Sequence, residues 1–164
     1  TDSKSAAEKV SELWAGVDWS DRDYVIVDLP TGTYQDRAGI RRAVPITATV
    51  VVTTPQPVAV DGARTVVARC RGGEERLLGV VENMATFVCP HCETVHGGFG
   101  PGSPDLDVPL LEQLPLDPTL RESTDTPTVL GDEQRPATSL FRSLARGMMD
   151  AVGRIRRESH VKDR

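Results

Sequence analysis

Two cysteines separated by two residues, Cys89 and Cys92, give the sequence its clearest chemical signal. Thiolates at this spacing can both bind one metal ion or one cluster, because the turn between them points the two sulfurs the same way. The pair follows an apolar run of strand length, residues 77–81, and α/β sheets usually hold ligands at the carboxyl ends of their strands. We therefore expect the chemistry of this chain at residues 89–92.

Four interpretations of this pair remain open on spacing alone. In the first, the pair supplies half of the ligands of an iron–sulfur cluster and a second copy of the chain supplies the rest, because two thiolates cannot complete a four-ligand site. In the second, zinc binds there, with His91 or His96 as further ligands. The third is a thiol–disulfide couple, although glycines and prolines follow where that chemistry needs a helix. The fourth is a pair of surface cysteines without a ligand.

A single carboxylate, Asp28, closes another apolar run, residues 24–29, which we predict to be a strand. An acidic side chain at the end of a buried strand is costly unless it has a partner, so a cation or a water network is expected beside it. A nucleotide enzyme would also need a phosphate-binding loop, Gly-x-x-x-x-Gly-Lys-Ser/Thr, and no Gly-Lys dipeptide occurs in the sequence. These residues alone are therefore not expected to hydrolyse ATP.

Composition and charge argue against several classes of function. A formal net charge of −5 over 164 residues disfavours binding to nucleic acid or to a membrane surface. No apolar run approaches the roughly 20 residues that a membrane span needs. Three cysteines do not form a disulfide framework, and Cys70 falls on the apolar face of a predicted helix, which is typical of a core residue. We expect a cytoplasmic protein with reduced thiols, and neither nucleic acid nor a membrane as a partner.

The hydrophobic pattern predicts one α/β domain over residues 1–158, followed by a tail over 159–164. Strands are predicted at 24–29, 48–54, 76–83 and 108–114, and helices at 6–15, 37–44, 57–71 and about 137–158. The order strand, helix, strand over residues 48–83 is typical of a right-handed βαβ unit, so the sheet should be parallel. Residues 88–104 hold the cysteine pair and then many glycines and prolines, which predicts a loop.

Several motifs occur in the chain order of one known family. They are Tyr24-Val-Ile-Val-Asp-Leu-Pro, Val50-Val-Val-Thr-Thr-Pro-Gln, Leu78-Gly-Val-Val-Glu-Asn-Met, Phe87-Val-Cys-Pro-His-Cys and Pro115-Leu-Asp-Pro. Together they resemble the carboxyl-terminal part of the Mrp/ApbC family, iron–sulfur cluster carriers among the MinD/ParA-like P-loop ATPases. The resemblance covers most of the chain and implies a doubly wound, P-loop NTPase-like α/β domain with a parallel sheet. It also implies that this domain is amino-terminally incomplete, because the Walker A segment and the first strands are absent.

The resemblance further implies ATP and Mg²⁺ as ligands. Asp28 would be the Walker B-type carboxylate on the Mg²⁺ side and would organise the ion through water. Asn83 would lie near the adenine, and the turn that contains Pro115 and Asp117 would pass over the base. The resemblance implies that ATP binding and hydrolysis regulate the exchange of the iron–sulfur cluster at the cysteines.

For Cys89 and Cys92, the resemblance implies a [4Fe–4S] cluster shared with the same two residues of a second chain across a two-fold axis. Such carriers act as homodimers, accept a cluster from an assembly system and pass it to apo iron–sulfur proteins. The alternative is a non-catalytic regulatory or scaffold subunit that pairs with a complete ATPase. That subunit would have a structural zinc, or nothing, on the two cysteines.

Overall fold

The computed structural model describes residues 6–29, 34–73, 76–89, 91–92, 94–97, 100, 105–117 and 136–162. The chain forms two compact units, residues 1–47 and residues 48–164. Among the described residues, the helices are α1 (Ala6–Ala15), α2 (Tyr34–Ala43), α3 (Pro57–Gly72) and α4 (Pro136–Lys162). The strands are β1 (Thr49–Thr53), β2 (Leu77–Glu82), β3 (Thr86–Val88), β4 (Val95–Gly97) and β5 (Leu110–Gln113). One continuous domain over residues 1–158 stays a prediction.

The first unit is built around helices α1 and α2, which pack against each other. Gly39 of α2 makes a close approach possible, since a Cβ at this position would lie only 3.0 Å from the Cβ of Ala7. Trp19 folds back on α1, where its indole N–H donates to the carbonyl oxygen of Trp14 at 2.9 Å. The two tryptophan rings stack with their centroids 4.5 Å apart. A helix pair and an aromatic stack therefore hold this unit together.

The Walker B-type strand predicted over residues 24–29 is wrong. These residues have no regular secondary structure, and Ile26 in their middle is 86% exposed. A strand needs a neighbouring strand for its backbone N–H and C=O groups, and the described residues of the first unit contain no strand. The apolar pattern is therefore not enough to make a strand here, and Asp28 lies on an exposed, irregular segment.

The second unit contains the parallel sheet that the sequence predicts. β2 lies in the middle, β1 and β5 flank it, and both strand pairs are parallel. β1 and β2 are rich in valine and leucine, which suits strands covered on both faces. α3 connects β1 to β2, and Pro57 opens this helix at a position that needs no backbone donor. The predicted strand–helix–strand unit and the α/β fold class are thus confirmed.

α3 packs on the sheet through a small aliphatic core. Its buried members come from β1, α3, β2 and the segment before β5: Val51, Val60, Ala63, Val67, Val80 and Leu106. Leu106 is 7% exposed and joins this core from the chain that follows the cysteine segment. It therefore anchors the approach to β5, and the residue after β5, Leu114, is bonded to the segment that leads into the cysteine hairpin.

Leu106→Ala is expected to lower the free energy of unfolding by about 3 kcal/mol, because it removes a buried side chain and leaves a cavity. Val52, which is 65% exposed on β1, provides the control. Val52→Ala should cost less than about 1 kcal/mol. Urea denaturation followed by circular dichroism measures both variants, and equal losses would contradict the assignment of Leu106 to the core.

The cysteine segment begins as a β-hairpin, whereas the sequence predicts a loop over all of residues 88–104. β3 and β4 pair antiparallel, with Phe87 opposite His96. β3 is also bonded along its other edge, where Phe87 forms a parallel bridge with Leu116. Strands of three residues carry too little periodic signal to be predicted, and this second pairing adds the stability that a lone hairpin lacks. Residues 98–99 and 101–104 of the predicted loop lie outside the described residues.

α4 continues beyond the predicted helix of about 137–158. It ends at Lys162, so residues 159–162 of the predicted tail are helical. No glycine or proline follows Gly153 in this helix, and the sequence therefore contains no stop signal at residue 158. The predicted apolar side is half-buried at Leu140 and Met148, and α4 contacts β5. Within the described ranges, no helix has the length and apolar character required to cross a membrane.

Candidate metal centre

Cys89 and Cys92 lie at the turn end of the β3–β4 hairpin. The backbone N–H of Cys89 donates to the carbonyl oxygen of Thr94 at 3.0 Å, which continues the pairing of the two strands by one step. This hydrogen bond closes the loop that contains Cys92. Cys89 is half-buried and Cys92 is exposed, so the loop presents one thiol to solvent and shields the other.

Thr94 also contacts the side chain of Cys92. The Cys92 Sγ and the Thr94 Oγ1 are 3.2 Å apart, within hydrogen-bonding distance for sulfur. Hydrogen bonds with the Thr94 side chain, then with its backbone and then with the Cys89 side chain lower the pKa of the Cys92 thiol. Both cysteines therefore belong to one short loop, which the bond between Cys89 and Thr94 closes. The structure thus brings the two predicted ligands together.

The described residues add no third ligand beside these sulfurs. No group of three or more histidine, cysteine, aspartate or glutamate side chains in the described part of the chain can hold a metal ion. His91 is exposed, and the ring of His96 lies 6.5 Å from that of Phe87. Within these residues, a zinc site completed by His91 or His96 of the same chain is therefore not formed. Two thiols with an open side suit a metal group whose other ligands come from a second molecule.

A short backbone ladder ties the hairpin to the carboxyl edge of the sheet. The Ala85 N–H donates to the Leu114 carbonyl oxygen at 2.9 Å, and the Leu116 N–H donates to the Thr86 carbonyl oxygen at 2.7 Å. Leu114 and Leu116 follow β5 directly, while Ala85 and Thr86 lead into the hairpin. These bonds fix the position of the hairpin relative to the end of β5.

The residues predicted on the adenine side belong to the same edge of the sheet. Asn83 directly follows β2, and its side-chain Oδ1 accepts a hydrogen bond from the Met84 N–H at 2.9 Å. This bond stabilises Met84 in a left-handed conformation with φ 57°, which interrupts β2 before the chain continues into the hairpin. Pro115 and Asp117 are half-buried in the segment that is bonded to β3. Asp28, by contrast, belongs to the first unit, and the roles of all four residues toward ATP stay predictions.

A row of polar side chains at the ends of the three strands was not predicted as part of this site. Thr53, Glu82 and Gln113 lie opposite one another in the sheet register. Glu82 is 1% exposed, and its Oε2 accepts a hydrogen bond from the Gln113 Nε2 at 2.6 Å. Glu82 ends the otherwise apolar strand β2, and this acidic residue is the sequence feature from which the polar row could have been predicted. The Glu82 carboxylate thus lies buried one residue before Asn83.

The three thiols are expected to react with iodoacetamide in the order Cys92, Cys89, Cys70 in the metal-free protein. Cys92 is exposed, Cys89 is half-buried and Cys70 is 2% exposed. Because the thiolate is the reactive form, the lowered pKa of Cys92 extends its alkylation to lower pH than that of an ordinary cysteine. Peptide mass spectrometry after timed alkylation at several pH values measures the order. Faster labelling of Cys70 than of Cys89 would contradict it.

The fold and the site define a class of protein: an α/β domain with a thiol pair beyond the carboxyl edge of a parallel sheet. A protein-family model described as ParA, NUBPL iron-transfer P-loop NTPase, matches residues 3–149. The chain belongs to this family. The resemblance to the Mrp/ApbC carriers is thereby confirmed.

Two relatives show how much of a complete family member these residues represent. An iron–sulfur cluster carrier protein of Escherichia coli is 36% identical over 134 residues, which are 77% of this chain and 36% of that protein. A cytosolic Fe–S cluster assembly factor, a NUBP1 homologue of Caenorhabditis briggsae, is 33% identical over 162 residues, 92% of this chain and 50% of that protein. The chain thus spans half or less of the length of these two relatives.

Solved structures share the fold. The cell division ATPase MinD of Pyrococcus furiosus aligns with a TM-score of 0.64 and 21% identity over 88% of this chain and 58% of its own. The septum site-determining protein MinD of Pyrococcus horikoshii aligns with a TM-score of 0.61 and the same identity, over 85% of this chain and 55% of its own. The P-loop NTPase-like α/β fold is therefore confirmed.

Proposed function

We propose that this chain binds an iron–sulfur cluster through Cys89 and Cys92 and transfers it to apo iron–sulfur proteins. The observation that carries the proposal is the closed hairpin loop, which holds both cysteines in one short turn and exposes one of them. The names of the two relatives, a cluster carrier and a cluster assembly factor, support it. The second is named as cytosolic, which supports a cytoplasmic site of action.

The cluster is the cargo, and the number of ligands that it needs calls for a homodimer. A [4Fe–4S] cluster is held by four thiolates, and one chain offers two at this place. Two copies related by a two-fold axis supply Cys89 and Cys92 twice, with the same surface patch on both chains. The exposure of Cys92 and the missing third ligand among the described residues support a cluster shared in this way.

Transfer proceeds by ligand exchange at iron. A thiolate of the recipient binds an iron atom and a thiolate of the carrier leaves it, so the number of iron–sulfur bonds and the oxidation state of the cluster stay constant. The exposed Cys92 is the ligand that a recipient reaches first, whereas the half-buried Cys89 holds the cluster until the later steps. This difference in exposure suits a carrier, which must hold its cargo and also release it.

ATP and Mg²⁺ regulate this exchange in our proposal. Asn83, Pro115 and Asp117 would hold the adenine of ATP, and Asp28 would organise Mg²⁺ through water. The backbone bonds between β3 and the segment after β5 support a link from nucleotide to cluster, because they join the adenine side to the hairpin. The phosphate-binding loop of such a site must come from outside these 164 residues, which contain no Gly-Lys dipeptide.

A second candidate function is that of a regulatory or scaffold subunit. In this candidate, the phosphate-binding loop that these 164 residues do not contain would belong to another chain, which would carry out ATP hydrolysis. Such a subunit would pair with a complete ATPase and would have a structural zinc, or no metal, on Cys89 and Cys92. Metal analysis separates the two candidates, because only the carrier holds iron together with sulfide.

Cluster transfer tests the proposal. The protein is reconstituted anaerobically with iron and sulfide, desalted and mixed with an apo four-iron protein, whose recovery is followed by circular dichroism. We expect transfer from the wild type and from Cys70→Ala, because Cys70 lies in the core. Cys92→Ala should lose it. A protein that takes up the cluster and fails to deliver it, or that holds zinc instead, would contradict the carrier function.

A further inference from the structure

Thr94 contacts the cysteine pair with both its backbone and its side chain. Its carbonyl oxygen accepts the Cys89 N–H at 3.0 Å, and its Oγ1 lies 3.2 Å from the Cys92 Sγ. The same Oγ1 lies 3.5 Å from the Cys92 carbonyl oxygen. One residue therefore contacts both candidate ligands, and the contact with the Cys92 sulfur depends on its hydroxyl group.

We propose that Thr94 is a positioning residue for the bound cluster. In the metal-free protein the Cys92 thiol donates to the Thr94 Oγ1, and the Thr94 hydroxyl donates to the Cys92 carbonyl oxygen. When Cys92 binds iron without its proton, the hydroxyl turns to donate to the sulfur, and this bond controls how firmly the cluster is held and how easily it is reduced. The inference rests on the proposed cluster-binding function, but it concerns a residue that is not itself a ligand. Thr94 thus sets the balance between retention and release at the exposed half of the site.

The charge of the iron-bound Cys92 sulfur explains why a neighbouring hydroxyl affects the cluster. A sulfur that binds iron has lost its proton and carries negative charge, so the bond between Cys92 and Thr94 reverses and the hydroxyl becomes its donor. The two atoms are already 3.2 Å apart in the metal-free protein. This bond orients the Sγ and withdraws electron density from it. Hydrogen bonds to cluster sulfurs favour the reduced state, and partners of ligands at other metal sites change affinity by about tenfold to a hundredfold when they are removed.

The role of the Thr94 hydroxyl can be tested separately from the closure of the loop, because the loop is closed by the Thr94 backbone carbonyl. Thr94→Val keeps the carbonyl group, the shape and the β-branching of the side chain, and it removes only the hydroxyl. Thr94→Ser keeps the hydroxyl and removes only a methyl group. The loop should therefore close in both variants, and thermal melting of the metal-free proteins checks this.

The test compares the reconstituted wild type with Thr94→Val, Thr94→Ser and the control Thr65→Val. Thr65 is an exposed threonine of α3, whose hydroxyl donates to the Asp61 carbonyl oxygen at 3.0 Å. The measured quantities are the rate of iron release to an excess of chelator and the midpoint potential of the cluster. We expect Thr94→Val to release iron about tenfold faster and to show a more negative potential. Thr94→Ser and Thr65→Val should stay within about twofold of the wild-type rate.

The possible outcomes distinguish the role of the Thr94 hydroxyl from cluster binding itself. Equal release rates and potentials for Thr94→Val and the wild type would overturn the role of Thr94 and leave the cluster-binding function intact. The same is true if Thr94→Ser behaves like Thr94→Val, since the hydroxyl would then not be the active group. A wild-type protein that takes up no cluster would refute the proposed function, and the role of Thr94 with it.

Discussion

Gly79→Ala is expected to lower the free energy of unfolding by about 3 kcal/mol. A Cβ at residue 79 would lie 2.3 Å from the Pro109 carbonyl oxygen and 2.9 Å from the Leu111 Cγ, so β2 and β5 would have to move apart. Gly79 also has a φ of +154°, which side chains rarely adopt. The neighbouring Val80 N–H donates to the same Pro109 oxygen at 2.8 Å, and this bond would be strained too.

Gly62 provides the control for this substitution. It lies inside α3, and a Cβ there would meet nothing within 4 Å. Gly62→Ala should therefore stabilise the protein, by about 0.5–1 kcal/mol, because alanine loses less backbone entropy in a helix than glycine does. Urea denaturation of both variants measures the two effects. A loss below about 1 kcal/mol for Gly79→Ala would contradict the close approach of β2 and β5.

Replacing both Cys89 and Cys92 by alanine is expected to abolish cluster uptake. Each chain would lose every thiolate that it offers at the hairpin, and the described residues supply no third ligand to compensate. The measurement is the iron and sulfide content after anaerobic reconstitution, with the absorbance of the cluster recorded in parallel. We expect the content of the double variant to fall to the background level.

Cys70→Ala is the matched control, because it also removes a thiol but from the buried face of α3. It should take up as much iron and sulfide as the wild type. The single variants Cys89→Ala and Cys92→Ala should each lose most of the cluster, since a shared cluster then keeps half of its ligands. Uptake by the double variant equal to that of the wild type would place the cluster elsewhere.

The sequence predicts the sheet well because its signals are local. β1 and β2 are apolar runs, and the helix between them begins at Pro57 and ends at a pair of glycines. The length of the connection and the apolar strands together require a parallel pair, as found. The two cysteines are also predictable as a pair, since a spacing of two residues puts both in one turn, and the structure has them in one closed loop.

The features that could not be predicted depend on contacts far apart in sequence. Backbone hydrogen bonds to residues after β5 stabilise the β3–β4 hairpin, and no local sequence pattern predicts these bonds. Thr94 becomes important only when this hairpin closes and places its hydroxyl near the Cys92 sulfur. Residues 24–29 were predicted to be a strand from their local apolar pattern alone. They form none, because the described residues of their own unit contain no strand to pair with.

The mass and metal content of the reconstituted protein show whether two chains share one iron–sulfur cluster. Native mass spectrometry under anaerobic conditions gives the number of chains and the composition of the bound group in one experiment. We expect a dimer with one [4Fe–4S] cluster, equivalent to about two iron and two sulfide per chain, which dissociates when the cluster is removed. A monomer that carries a complete cluster would contradict the shared site. One zinc ion per chain without sulfide would contradict the cluster itself.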